Sequence, residues 1–511
     1  MNPLAKLDHR YLWHPFTQMR DWLKREPVVI VGGKGSWLWD AHGREYLDAN
    51  SSIWTNLHGH AHPRINAAIR RQLRKIAHSS ALGLANEPAS LLAEKLIEVA
   101  NPPAVAQASS LRAKGASSPS IHEARMVRQL PSRKPALRKV CFSDDGSTAM
   151  EVALKLAYEF ARRTGRSQKP KFLTLEGAYH GDTVGAVSLG HIDLFHKAYA
   201  GLLFKTDKVM APYCYRCPFN RAKPDRADAR DYRKCNWECV GQFERKFQAQ
   251  KKRGNPYSAF VFEPLMQGAA GMIPHPAGWL SRTAEIARAH GALLIADEVM
   301  TGFGRTGVGR AKGSACPSLS LTYSPSVFAC HHEGVQPDFM ALAKGLTGGY
   351  LPMAATLTTQ AVFDAFLGEY EELKTFFHGH SFTGNQLGAA AALTSLEMLQ
   401  ATSSVRARRR LEQTLHDELQ TLWRWPNVGD IRQVGLVAGV ELVRDWRTRK
   451  PFDLGERVGI RVCEALAKRG VLTRPVGNVV VLIPPYCTTP AQARRMVAAL
   501  GEAIADYTKR L

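Results

Sequence analysis

The sequence is poor in several things, and each shortage removes a class of answer. It has no run of about 18 consecutive apolar residues, the length a membrane-crossing helix needs. Its opening stretch, MNPLAKLDHR, lacks the apolar core of an export signal, so a cytoplasmic setting is expected. Nine cysteines is an odd number, and most are scattered singly, which suits a reducing compartment better than a disulfide framework. Internal repeats are missing, as are helix-turn-helix, zinc-finger and RNA-binding signatures. Acidic residues are scarce: 45 Asp and Glu face 68 Lys and Arg, a net charge of +23. The basic residues are spread along the chain, so a solvated basic surface is expected rather than a nucleic-acid or membrane face. Anionic small molecules remain natural partners.

What is present is enough for a large core. With 511 residues, 45% of them hydrophobic, the chain suits one big domain with a smaller one attached. An aromatic lead-in, YLWHPFTQM, precedes SWLWDAHGREYLDANSSIWTNLHGH, which reads as a strand pair turning at His42-Gly43 and then a loop carrying Trp54. Helical spacing follows at 63–77 and 88–99. Residues 101–136 are rich in Ala, Ser, Pro and Arg without periodicity and read as an exposed insertion. A second irregular insertion is expected at 310–328.

From 138 onward, RKVCFS, KFLTLEG, SAFVFEPL, GALLIADEV and DFMALAK alternate with helical stretches. Continuous apolar strands separated by helices mark an α/β fold with a parallel sheet covered on both faces. Such sheets hold their ligands beyond the carboxyl ends of the strands. The tail, from about 385, reads as a helix, a small sheet (VGDIRQVGLVAGVELV and VLTRPVGNVVVLIPP) and closing helices.

Two of these strand ends carry unexpected charges. Asp297 closes ALLIAD, and a carboxylate there needs a cationic or donor partner, such as a protonated pyridine nitrogen. Alone, it also reads as a cap on the following turn. Lys344 ends the apolar strand of DFMALAK. Desolvation would lower its pKa and make the neutral amine a nucleophile for an aldehyde; alone, it also reads as a lysine reaching for solvent. Together they suggest the lysine and the ring-nitrogen carboxylate of a pyridoxal phosphate site. FSDDGSTAMEVALK adds Gly146 and Ser147 at a strand-to-helix turn, where free N–H groups and a hydroxyl suit a phosphate, with Thr148 and Glu151 spaced as a capping box. Tyr179 of GAYHGDT could stack on a flat ring or be an ordinary half-buried tyrosine.

The order EPLMQGAAGM, LLIADEVMTGFGRTG, PDFMALAKGLTGGYLP and HGHSFTGNQLGAAAA resembles the class III pyridoxal-phosphate aminotransferases over nearly the whole chain outside the two insertions. The resemblance implies fold type I: a large domain at 66–384 with a mainly parallel seven-stranded sheet, and a small α+β domain from both chain ends, 1–65 and 385–511. It also implies a homodimer with the active site between subunits. In this family Lys344 would carry the cofactor and shuttle the substrate proton, and Asp297 would pair with the ring nitrogen. Gly146 and Ser147 would bind phosphate, joined by His380 and Ser381 of the second subunit. Tyr179 and Gly379 would face substrate and cofactor, with Glu263, Gln267 and Arg305 lining the site.

WHPFTQM, SSIWTNLHGH and LTRPVGNVVVLIPPY are similar to the biotin-pathway branch of that family, which converts 8-amino-7-oxononanoate to 7,8-diaminononanoate. The resemblance implies a mostly apolar pocket built with Phe16, Ile53 and Trp54, and Arg474 meeting the far carboxylate of the substrate. Phe16 stands where members using S-adenosylmethionine have tyrosine, and Ile53-Trp54 stands where they have paired tryptophans. Both substitutions favour lysine over S-adenosylmethionine as amino donor. Rival readings are another class III enzyme, acting on ω-amino acids, ornithine or diamines, and a non-catalytic binding protein. WHPFTQM and Arg474 argue against the first, and intact Lys344 and Asp297 against the second. Finally, Cys214, Cys217, Cys235 and Cys239, spaced C-x2-C-x17-C-x3-C, resemble a four-thiolate zinc site, although the inferred reaction needs no metal.

Overall fold

A computed structural model describes residues 1–101, 136–222, 233–307 and 327–508. The expected insertions at 101–136 and 310–328 lie outside the described residues except at their edges. The centre of the molecule is a seven-stranded sheet in the order Leu137–Ser143, Ala354–Thr359, Phe339–Leu342, Leu293–Asp297, Tyr257–Phe262, Lys171–Leu175, Asp207–Val209. Six of the seven strands run in the same direction, and Ala354–Thr359 is antiparallel to both neighbours.

The unbroken apolar runs follow from the two covered faces. Ala259, Val261, Leu293 and Ile295 pack with Ala149, Val152, Ala153 and Leu156 of the helix Gly146–Arg163. Their alternates Phe260, Phe262, Leu294 and Ala296 pack with Phe243 and Phe247 of Glu238–Lys252 and with Trp279 and Leu280 of Trp279–Ala289. Each fully buried Leu or Phe contributes about 1.5–3 kcal/mol of transfer free energy. Asp297 continues the Leu293 and Ile295 face, so its carboxylate emerges beside the N-terminus of Gly146–Arg163.

That helix is capped by Asp145, whose Oδ1 accepts from the Thr148 amide at 2.9 Å while Thr148 Oγ1 accepts from the Asp145 amide at 3.0 Å. The capping box therefore lies three positions upstream of the expected Thr148 and Glu151. The strand ends at Ser143, and the chain turns at once. Glu151 instead accepts from the amides of Gly185 and Ala186 at 2.7 and 3.2 Å, at the start of Val184–Leu189.

The smaller unit joins both chain ends. Glu45–Asp48 pairs antiparallel with Trp37–Asp40 and parallel with Val471–Leu472. A second sheet holds Val428–Val434, Val437–Asp445, Val479–Leu482 and Pro475–Val476. Leu47, Val440, Leu442, Val462, Leu466, Val480 and Val497 share its core. The helix Gln386–Gln400, expected to open this domain, packs instead into the large-domain core through Ala389, Ala392 and Leu396 beside Leu92 and Leu96. No helix among the described residues is long and apolar enough to cross a membrane.

Leu294 is fully buried in the central sheet. Leu294→Ala is expected to lower folding stability by about 2–5 kcal/mol. Chemical denaturation followed by circular dichroism checks this, and a midpoint equal to that of the parent contradicts the packing described.

Candidate active site

Neighbouring parallel strands bring the two unusual charges to one rim. Asp297 is in register with Ala341, and the Glu298 amide donates to the Ala341 carbonyl at 3.0 Å. Lys344 follows two residues after the strand Phe339–Leu342 and faces the same cavity. The cavity, about 700 Å³, has walls that include Trp54, Gly146, Ser147, Tyr179, Glu263, Asp297 and Lys344. This size suits a cofactor with a small substrate.

Asp297 is buried and paired. Its Oδ2 lies 2.7 Å from Nδ1 of His180, and its Oδ1 accepts from the Val299 amide at 3.0 Å. His180 escaped the sequence reading. Its position beside Tyr179 in AYHGD was the available signal, but its partner lies 117 residues away. Glu298 is tied just as closely, accepting from Thr301 Oγ1 and the amides of Ala329 and Cys330 at 2.6 to 3.0 Å. The strand end is thereby fixed.

Burial pushes the Lys344 amine below the ordinary lysine range, opposed by Asp297 and Glu263. Among the described residues, its amine meets the indole face of Trp54 with Nζ 5.1 Å from the ring centroid. Burial also pushes Glu263 up to about 7, with His180 opposing and the charge of Asp297 reinforcing. Its Oε2 accepts from the Gly268 amide at 2.8 Å. Tyr179 is raised by burial and by donating to Asp182 Oδ2 at 2.7 Å.

The backbone around the cavity is strained. Lys344 has φ +45°, and Ser51, Ser52, Ile53 and Trp54 form an unbroken left-handed turn with φ of 47°, 48°, 69° and 71°. Left-handed backbone costs a residue with a side chain about 1–2 kcal/mol. At the opposite end, Ser147 Oγ donates to Thr183 Oγ1 at 3.0 Å and accepts from the Thr183 amide at 2.9 Å. Gly181, with φ +120°, has no room for a side chain, since a Cβ would stand 2.3 Å from Ser147 Oγ.

A pyridoxal phosphate fits these groups. A lysine amine with no ion-pair partner among the described residues lines the cavity, a histidine-held carboxylate stands on the adjacent strand end, and a hydroxyl-bearing helix N-terminus lies nearby. Gln267 is buried behind the wall with Nε2 donating to the Glu176 carbonyl at 2.9 Å, and its Oε1 has no partner among the described residues.

Other expected residues stand apart in a single chain. Arg305 is buried and donates to the carbonyls of Pro484 and Asn56 at 3.0 and 2.9 Å, so its guanidinium serves the backbone and does not line the cavity. Arg474, Phe16, Ile53, Gly379 and Ser381 are exposed and outside the cavity wall. His380 reaches the rim through Asp144 Oδ2 at 3.2 Å. Burial and the charges of Cys239, Cys217 and Cys235 push the Cys214 thiol up to about 12, so the four thiols share a neighbourhood. Among the described residues, however, no group of three or more potential ligands is arranged to hold a metal ion.

The raised Glu263 pKa carries a pH signature. A carboxyl protonated in the fold but not in the unfolded chain stabilises fully below the unfolded pKa of 4.5, and this is lost as pH rises through about 7. In the apoprotein, Glu263→Gln is therefore expected to gain melting temperature over the parent at pH 8 and little at pH 4.5. An equal difference at both pH values contradicts the assignment.

Comparison with known proteins agrees with this geometry. The profile of the family Aminotransferase class-III matches residues 19–315 and 321–504. The adenosylmethionine-8-amino-7-oxononanoate aminotransferase of Geobacter sulfurreducens is 44% identical over 505 residues, 99% of this chain and 98% of its own length. The crystal structure of the enzyme of that name from Methanocaldococcus jannaschii superposes with TM-score 0.81 at 36% identity, covering 98% of each chain. The ω-transaminase of Pseudomonas jessenii in complex with PMP gives TM-score 0.81 at 27% identity, covering 100% of this chain and 99% of its own. The chain belongs to the class III aminotransferases and is a pyridoxal-phosphate-dependent transaminase of fold type I.

Proposed function

We propose that this transaminase converts 8-amino-7-oxononanoate to 7,8-diaminononanoate, the amination of the substrate for which its relatives are named. The observation that carries the reading is identity of 36–44% over at least 97% of this chain to seven proteins of that name, with an eighth at 28%, against 26–30% for the ω- and amine transaminases of the same fold. The apolar part of the cavity, Trp54 backed by Met266, Met272 and Met300, supports an alkyl-chain substrate.

When bound, the cofactor supplies an aldehyde that captures the amine and a ring that withdraws electrons from it. Lys344 holds that aldehyde and, as a neutral amine, moves the proton at the substrate carbon bearing the nitrogen. Asp297, oriented by His180, holds a proton on the ring nitrogen. Gly146, Ser147 and Thr183 bind the phosphate at the helix N-terminus. Tyr179 covers the ring and excludes water, while Glu263, pushed up to about 7 by burial, can hold or release a proton on the same wall near neutral pH. Arg474 recognises the distant substrate carboxylate.

The names of the relatives support S-adenosylmethionine as donor. Phe16 and Ile53 support lysine as a second reading, though both lie outside the cavity in one chain. Unpaired cysteines throughout the described residues support a reducing, cytoplasmic setting. A homodimer is proposed because Trp13, Leu82, Tyr370 and Phe377 are 72–92% exposed, apolar surface that a second subunit would cover while supplying residues 379–381.

Purified enzyme with the oxo acid and each donor in turn is expected to make the diamine with S-adenosylmethionine. Product with lysine alone would install the second reading, and turnover only of other ω-amines would end the substrate proposal. Lys344→Ala is expected to lose activity by roughly 10²–10⁴-fold or more, and an unchanged rate contradicts its role.

A further inference from the structure

The left-handed turn that carries Trp54 is held by a residue outside the cavity wall. Asp48 is almost fully buried, and every acceptor direction is used. Its Oδ1 accepts from the amides of Asn50 and Ser52, each at 3.1 Å. Its Oδ2 accepts from Ser52 Oγ at 3.0 Å and faces His60 Nε2 at 2.9 Å. His60 is itself anchored, its amide and carbonyl paired with Gly35 and its Nδ1 3.2 Å from Asn56 Nδ2. Inside this knot, Asn50 Oδ1 accepts from Trp54 Nε1 at 2.9 Å and fixes the indole plane. The lysine loop closes against the same turn, for a Cβ on Gly349 would stand 2.7 Å from the backbone of Thr55 and Asn56.

No glycine relieves the four left-handed residues, and the only aromatic they carry lies over the amine of Lys344. Strain retained at such a place has to be held by its surroundings; Asp48 supplies two bonds to Ser52 within the run and one to the Asn50 amide just before it, and is itself braced by His60.

We propose that Asp48 is a positioning residue, knotting the strained turn 51–54 so that the face of Trp54 lies on Lys344 and sets that amine's exposure and reactivity. This rests on the reading of Lys344 as the cofactor lysine. The Trp54 face favours the ammonium form and shields it, so loosening the knot frees the amine and misplaces it for proton movement.

The test uses two readouts. In the full-length apoprotein, acylation of Lys344 at fixed mildly alkaline pH is followed by peptide mass spectrometry; in the holoenzyme, kcat and KM are measured. Asp48→Asn and Trp54→Leu are each expected to speed acylation roughly two- to thirtyfold, the range a lost cation–π contact covers. Both should lower kcat and kcat/KM together. The double variant should match Trp54→Leu, because both act through one contact. Parental acylation and kcat in a merely less stable Asp48→Asn, or effects that add in the double variant, would overturn the proposal. If Asp48→Asn does not fold, His60→Leu is expected to reproduce both effects and His60→Gln, which keeps a donor toward Asp48, to show neither. Identical behaviour of those two overturns it as well. Borohydride trapping of the cofactor on another lysine would sink the site reading alone, since the apoprotein acylation comparison stands without it.

Discussion

Everything in this site depends on two adjacent parallel strands ending at the same rim, one in a carboxylate and the other in an amine. A buried carboxylate is costly unless it is paired, and Asp297 is paired with His180 at 2.7 Å. A buried amine is costly in its charged form, and burial lowers the pKa of Lys344, which has no ion pair among the described residues. Had the two charges met directly, both would have been spent on each other. In the proposed reading, their separation across strand ends lets them meet opposite ends of one aromatic cofactor.

The surrounding fold spends its rigidity on holding that separation. Glu298, adjacent to Asp297, is fastened by three donors and joins the strand end to the segment beginning at 327. Glu263 gathers the amides of Gly268 and Tyr179, tying two segments beside the cavity to one carboxyl. The small unit reaches in as well, for Arg432 donates to the Gly271 carbonyl at 2.6 Å. Left-handed backbone at Lys344 and at 51–54 is tolerated only inside such a frame.

Much of this was legible in the sequence, for a physical reason. Strands covered on both faces cannot alternate polar and apolar residues, so SAFVFEPL and GALLIADEV announce their burial. A charge ending such a run stands out, which is how Asp297 and Lys344 are found without a structure. Local pattern fails where the chain meets itself over long distances. His180 looks like any histidine until Asp297 arrives beside it. Arg305 reads as a ligand for substrate until two backbone carbonyls claim it. The capping box was misread because Asp145 precedes Thr148 at the same spacing at which Thr148 precedes Glu151. SSIW gives no sign of left-handed backbone, since glycine is the usual signal and none is present. Arg474, Phe16 and Gly379 lie away from the cavity of one chain, because residues far apart in sequence take their places only through long-range packing.

The central claim is that Asp297 keeps the cofactor's ring nitrogen protonated while Lys344 holds its other end. The ¹⁵N chemical shift of ring-labelled cofactor in the holoenzyme tests it directly. A protonated-pyridine shift in the parent and a neutral-pyridine shift in Asp297→Ala is the predicted result. A neutral shift in the parent, or the same protonated shift in both proteins, would contradict the account.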